Sequence, residues 1–308
     1  MVITKEFVEN SARKLGFDLV GFAEATELTT ESERLAQWLT GSFNAGMKYM
    51  SDNTEKRRDV RSILPGAQSI ISLGMNYYTG YRHGNADPDS GGKVSRYGWG
   101  RDYHLVMWEK LEILKEMMQQ ADPSCEMVYY VDTGPVMDKA WAVRAGLGWM
   151  GKNSNVISRR IGSWFFIATV ITNCGFSASA AETDHCGSCT RCIDACPTNA
   201  IIQDGVIDAN KCISYLTIEN KHEIDESFSD SFDGWIFGCD ICQEVCPWNV
   251  KFSSDCGKKE FEPVSPFLKF DEIASMTNSE FRRRFSESPI SRARLKGLRR
   301  NAAFLRGV

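Results

Sequence analysis

The sequence predicts an α+β fold, with an α/β N-terminal domain followed by a smaller cysteine-rich domain and a basic helical tail. Three observations carry that expectation. Strand-like and helix-like stretches alternate through the first 175 residues. Eight of the eleven cysteines fall between positions 186 and 246. From Arg282 to Arg306, nine Arg or Lys residues stand against one acid, Glu287. A chain of 308 residues exceeds the usual limit of a single core, and the boundaries expected from these shifts are 1–175, 176–255 and 256–308.

The opening stretch, MVITKEFVENSARKLGFDLVGF, reads as an amphipathic helix with charges throughout. A second helix begins at Thr30, with Glu33 three residues on completing a capping box, and runs through ERLAQWL. KRRDVRSILPGA is basic and turn-rich, and SIISLGMNYY, residues 69–78, is a β-branched and aromatic run suited to a buried strand. Residues 79–93, TGYRHGNADPDSGGK, form a polar loop dense in Gly, Asp and Pro. RYGWGRDYHLVMWEKLEILKEMMQQ then passes from a glycine-rich turn into a long amphipathic helix. EMVYYVDTG, residues 126–134, gives a strand that ends at Asp132. PVMDKAWAVRAGLGWMGKN gives a helix ending near Gly148, and SWFFIATVIT, residues 163–172, a further strand.

Net charge is −4, and with about +8 in the tail the remainder carries about −12. A basic tail on an acidic body points to a polyanionic partner or to a solvated helix face. No run approaches the ~18 apolar residues of a membrane span, and the charged start does not resemble a secretory signal. A cytoplasmic protein is expected, in which clustered cysteines mean metal rather than disulfides.

Cys186, Cys189, Cys192 and Cys196 follow C-x2-C-x2-C-x3-C-P spacing, and a second half-motif supplies Cys239, Cys242 and Cys246 before Pro247. Tight spacing lets one loop wrap three corners of a [4Fe–4S] cubane, while the offset cysteine before proline reaches a second cluster. Cys186, Cys189, Cys192 and Cys246 are therefore assigned to one cluster. Cys196, Cys212, Cys239 and Cys242 are assigned to the other, in a ferredoxin-like domain. Zinc is the competing reading of C-x2-C pairs, and the two C-P endings argue against it. Cys125, Cys174 and Cys256 lie outside any motif, and a free cysteine of that kind is usually a small buried hydrophobe.

VDTGPVMDKAWAVRAGLGWMGKN, SRYGWGRDYH and KCISYLTIEN, taken with the paired cysteine motifs, resemble the epoxyqueuosine reductase family. The resemblance runs from the first helix to RLKGLRRNAAF. It implies a reductive-dehalogenase-like, cobalamin-binding domain, two [4Fe–4S] clusters, and the last step of queuosine biosynthesis on tRNA, in which an epoxide becomes an alkene. The modified base would be at the wobble position of the tRNAs for Asp, Asn, His and Tyr. A HEAT-like C-terminal domain, common in the family, is expected to be missing from this shorter form.

Removing an epoxide oxygen as water takes two electrons and two protons, and the C–O bond leaves badly unless its oxygen is protonated. One positioned acid is therefore expected near the metal, whether cobalt attacks carbon or binds the oxygen. Asp132 matches the family's proton-donor aspartate, and Asp138 is the alternative acid. AGLGWMGKNSN offers close-set glycines and the donors Lys152, Asn153 and Ser154 to a corrin ring. Family matching adds Arg57, Gly98, Val156, Ile167, Tyr215, Asp240 and Ile241 as cobalamin contacts. No D-x-H-x-x-G motif is present and the four histidines are scattered, so a base-off cofactor is expected. The aromatics and arginines of RYGWGRDYH suit stacking on a splayed base, and the tail suits phosphate contacts. A low-potential electron donor, a monomer and no membrane association complete the expectation. A reductive dehalogenase-like enzyme acting on a small molecule and a pure electron-transfer module are the competing classes.

Overall fold

The computed structural model describes residues 3–83 and 89–307. Thr4 caps α1 (Lys5–Lys14) by accepting from the Phe7 amide, and Gly16, at φ +91°, ends it. The predicted first helix therefore covers only half of its stretch. Leu19–Glu24 is strand β1, where Gly21 leaves room for the Ala145 carbonyl that a Cβ would meet at 2.0 Å. Helix α2 (Thr29–Thr40) begins without the expected capping box, because the fully buried Leu28 occupies the N-cap position. After α3 (Thr54–Arg58) comes β2 (Ser69–Asn76), buried at every position.

Residues 84–88 of the predicted polar loop lie outside the described residues. The end of that stretch is not a loop but β3 (Gly91–Val94). Helix α4 (Tyr103–Ala121), capped by Asp102, leads to β4 (Met127–Tyr130) and α5 (Asp138–Arg144). α5 ends earlier than predicted: Gly146, at φ +77°, turns the chain so that the Leu147 amide reaches back to the Ala142 carbonyl. β5 (Trp149–Met150) and β6 (Val156–Ile157) make a small hairpin before β7 (Phe165–Thr172).

The main sheet has the order β1-β2-β7-β4, and every pair is antiparallel. The N-terminal unit thus sets its helices against an antiparallel sheet, in keeping with the α+β class expected for the chain. Strand period sorts the side chains onto two faces. Leu73, Met75, Ala168 and Val170 pack beneath α1 and α4, while Ile70, Phe165 and Ile171 pack against α5.

The cysteine-rich stretch holds α6 (Arg191–Asp194), the hairpin of β8 (Ile201–Gln203) and β9 (Val206–Ile207), and α7 (Ile213–Ile218). β10 (Trp235–Phe237) precedes α8 (Ile241–Glu244) and α9 (Pro247–Phe252). The tail contributes β11 (Phe267–Lys269), α10 (Phe270–Ser275), α11 (Asn278–Phe285) and α12 (Arg294–Arg306). A capping box forms here instead, between Thr277 and Glu280.

A second sheet has the order β10-β3-β11. It takes one strand from each of the three segments anticipated from the sequence, so none of those segments closes on its own. Gly91 and Gly92 permit this close pairing; a Cβ on them would lie 2.3 Å from the Leu268 carbonyl and 2.5 Å from the Ile236 Cβ. Trp99, from the RYGWG turn, is 1% exposed in the core beneath this sheet, and Arg96 is also buried. That burial removes both from the stacking role predicted for them. Among the described residues no helix is long and apolar enough to cross a membrane.

Candidate functional site

The two cysteine half-motifs fold as short helical turns that face each other. Cys186, Cys189, Cys192 and Cys246 line one cavity of about 210 Å³, with Asn153, Ile157 and Trp248 in its walls. These are the four thiols assigned to one cluster. The Trp149 indole donates to Cys186 Sγ at 3.4 Å. The other four thiols also lie close together. Burial pushes Cys212, Cys239 and Cys242 up, and the charges of neighbouring thiolates add to that shift: Cys196 acts on Cys212, while Cys212 acts on both Cys239 and Cys242. Buried, mutually repelling thiolates are unfavourable without positive metal charge. The donor set fits two all-thiolate iron–sulfur clusters. Among the described residues no three His, Cys, Asp or Glu side chains converge tightly enough for a single ion.

Next to the second thiol set lies an open cleft of about 510 Å³, with Cys212 in its wall. Asp132 faces it from just beyond β4. Its φ of +62° and the 2.6 Å hydrogen bond from the Thr133 amide to the Val131 carbonyl describe a tight γ-turn around a non-glycine residue. Such strain persists only where the surroundings impose it, and it concentrates at functional sites. Tyr103, on the first turn of α4, donates its hydroxyl to Asp132 Oδ2 at 2.8 Å. Arg292 donates to the same hydroxyl at 3.2 Å and stands 3.8 Å from Asp132 Oδ2. Asp138 lines the cleft as well; burial pushes its carboxyl up to about 7, although Thr169 donates to it at 2.5 Å.

Of the residues predicted to hold a cofactor, Asp132, Ile167 and Tyr215 line this cleft. Tyr215 also accepts from the Gly46 amide at 2.8 Å, fixing the turn after α2 over the cleft. Ser154 reaches the cleft only through its carbonyl, which accepts from Lys139. The other predicted contacts are elsewhere. Arg57 is buried and donates to the carbonyls of Tyr49, Asp52 and Val136. Gly98 is packed against Phe237 and Val94, and Val156 belongs to the core under α5. Lys152 and Asn153 border the first thiol cavity. Asp240 is fully buried, accepts from Ser95 Oγ and the Arg96 amide, and is pushed up to about 7 by burial; Ile241 follows it, packed near Cys239.

The cleft suits a broad ring with amide edges. Tyr97, Tyr103 and Phe166 offer flat walls, and Lys139, Asn155, Ser214 and Gln243 offer polar contacts. A larger cavity of about 850 Å³ is lined by Arg96, Trp164 and Trp235 among others. It contains none of the predicted site residues and no cysteine, so the smaller cleft beside the thiols is the better candidate for chemistry.

Arg292 was not legible as a site residue, since it stands in the basic tail 160 residues beyond Asp132. That tail is less free than its composition suggests. Arg284 pairs with Glu272 and Arg306 with Asp271. Arg299 and Arg300 donate to backbone carbonyls, Arg300 to those of Leu216, Asn220 and His222. Among the described residues, Arg283, Arg294 and Lys296 are exposed with no side-chain hydrogen bond or ion pair.

Two sets of cluster-type thiols adjoining a cleft with a positioned carboxylate describe an iron–sulfur oxidoreductase. Comparison with known proteins agrees. A 4Fe-4S double cluster binding domain matches residues 185–249, and an epoxyqueuosine reductase QueG domain, DUF1730, matches residues 57–133. The chain is 45% identical to the epoxyqueuosine reductase of Synechocystis over 90% of this chain and 96% of that one. It is 44% identical to that of Leadbetterella byssophila over 98% of both. A crystal structure of an epoxyqueuosine reductase with a tRNA-Tyr epoxyqueuosine-modified stem loop superposes with TM-score 0.92 at 31% identity, covering 98% of this chain and 80% of that one. The Bacillus subtilis enzyme, solved with its catalytic loop swung out of the active site, gives 0.91. The chain belongs to the epoxyqueuosine reductase family.

Proposed function

We propose that this protein reduces epoxyqueuosine to queuosine at the wobble position of tRNA, in the cytoplasm, with Asp132 as proton donor. The observation that carries the reading is the strained turn that presents Asp132 to a cleft whose wall includes Cys212. When bound, two [4Fe–4S] clusters and a base-off cobalamin would supply the low-potential electrons that open the epoxide. Cys186, Cys189, Cys192 and Cys246 would hold one cluster, and Cys196, Cys212, Cys239 and Cys242 the other. Ile167, Tyr215, Lys139 and Gln243 would contact the corrin.

The chain's own residues set up the proton transfer. The departing oxygen is a poor leaving group unless it is protonated, and Asp132 is the carboxyl that stands in the open part of the cleft. Tyr103 donates to it and Arg292 braces Tyr103, so the carboxyl is held in one orientation. Asp138, protonated in part near neutral pH, is the second acid in the same wall. The partner is the anticodon loop of the tRNAs for Asp, Asn, His and Tyr. An external low-potential donor supplies electrons, and the enzyme acts as a monomer.

The test uses anaerobically purified protein loaded with iron, sulfide and cobalamin, a strong reductant, and tRNA carrying epoxyqueuosine. The digested nucleoside should lose one oxygen, and Asp132→Asn should retain cluster and cobalamin absorbance while turnover falls by about 10²–10⁴. An unchanged nucleoside from fully loaded wild-type protein refutes the function. Full turnover by Asp132→Asn moves the acid to Asp138.

A further inference from the structure

Cys125 and Cys174 belong to neither thiol set, and their positions give them a chemistry of their own. Cys125 precedes β4 and Cys174 follows β7. The register pairs Met127 with Thr172 and Val128 with Ile171; continued outward by two residues, it sets Cys125 directly opposite Cys174. The Asn173 amide donates to the Glu126 carbonyl, so the next pair outward is a non-hydrogen-bonded one, where facing side chains come closest. The two Sγ atoms are 3.1 Å apart. Cys125 is 2% exposed and Cys174 is partly exposed. The Thr172 hydroxyl lies 3.8 Å from Cys125 Sγ and accepts from the Cys174 amide, and Asn173 Oδ1 lies 3.8 Å from Cys174 Sγ.

From this geometry we infer that Cys125 and Cys174 form a reversible disulfide site, oxidised by exchange with a small-molecule disulfide such as oxidised glutathione. Cys174 is the accessible thiol and reacts first. Its thiolate attacks one sulfur of the glutathione disulfide, the S–S bond breaks, and one glutathione leaves as thiolate. Cys125 then attacks Cys174 Sγ in the mixed disulfide and releases the second glutathione. The two thiol protons pass to the two departing thiolates. Two cysteine thiols are oxidised while one glutathione disulfide is reduced, so atoms and electrons balance. The bond closes just before β4, an edge strand paired on one side only, whose other end leads to Asp132. Oxidation therefore fastens the strand that carries the acid.

The experiment uses the full chain with both clusters loaded, exposed anaerobically to oxidised glutathione, then alkylated, digested and mapped by mass spectrometry. The expected product is a Cys125–Cys174 cross-linked peptide, lighter by two hydrogens, formed with cluster absorbance unchanged and reversed by dithiothreitol. Amide exchange over Val128 to Tyr130 should slow in the oxidised form. In Cys125→Ala the resolving thiol is gone, and Cys174 should keep a stable glutathione adduct; in Cys174→Ser, Cys125 should stay unmodified. Should Cys125→Ala fail to fold, the wild-type peptide map decides alone. A lasting glutathione adduct on wild-type Cys174, or both cysteines fully alkylated after the treatment, overturns the inference.

Discussion

Replacing Trp149 with Phe isolates one hydrogen bond to a cluster ligand. Trp149 is 2% exposed, sits between the rings of His185 and Trp248 at 4.9 and 4.8 Å, and donates its indole N–H to Cys186 Sγ at 3.4 Å. Phe keeps the ring contacts and removes the donor. A donor to a cluster sulfur stabilises the reduced, more negative state more than the oxidised one, so its loss lowers the reduction potential. Hydrogen bonds to charged groups contribute about 1.5–3 kcal/mol, of which only the difference between the two redox states acts. If that difference is about 1 kcal/mol, the scale of 1.36 kcal/mol and 59 mV per tenfold change gives a shift of about −40 mV. Stability should fall by about 1–2 kcal/mol from imperfect filling. The assay is an anaerobic redox titration followed by electron paramagnetic resonance, with both clusters resolved. The cluster held by Cys186 should move by that amount while the other stays fixed. No shift, a rise, or equal movement of both clusters would refute the assignment of Cys186 and the role of Trp149.

Other outcomes follow from the same structure. Asp138 has its carboxyl pushed up to about 7 by burial, above its unfolded value near 3.8. The native state therefore holds this proton longer than the unfolded chain, and the group's contribution to stability declines as pH rises from about 4 to about 7. Asp138→Asn should remove that decline, so the melting-temperature difference between variant and wild type should grow between pH 5 and pH 8; a constant difference would contradict it. Arg300→Ala strands three carbonyls that Arg300 joins and should cost about 2–3 kcal/mol in chemical unfolding, where an effect under about 0.5 kcal/mol would contradict it. Reversing the charge of Arg283, Arg294 and Lys296 together should weaken tRNA binding and flatten its log–log salt slope by about 2; an unchanged slope would show that the tail does not meet phosphates.

The thiol framework was legible because cluster ligands are spaced by local loop geometry, which a sequence writes out directly. Buried strands β2 and β7 were legible for the same local reason, as short runs rich in β-branched and aromatic residues. β1 was not, because Phe17 to Phe22 continues the apolar pattern of the preceding helix, and only Gly16, at φ +91°, separates the two. β3 was hidden by its glycines, which mark close backbone approach in this sheet rather than a turn. Asp132 could be singled out from its surrounding motif, but not its left-handed turn or its partners. Tyr103 lies 29 residues before it and Arg292 160 residues after, and no local pattern announces contacts of that range. Asp240 is fully buried and accepts from Ser95 Oγ and the Arg96 amide, contacts some 145 residues back along the chain that its own short motif does not announce.

The mixed sheet β10-β3-β11 also sets a timetable for the nascent chain. The main sheet has all its strands once residue 172 has been made. β3 must wait, because its neighbours end at Phe237 and Lys269. At roughly 5–20 residues per second, its last partner arrives about 9 to 35 s after β3 itself. Gly91–Val94 is without a partner strand until β10 is made and is paired on one side only until β11 follows, and all eight cluster cysteines precede β11 in the chain. Metal assembly and the closing of this sheet therefore compete for the same half-made chain, which carries every cluster ligand before it carries the sheet's last strand.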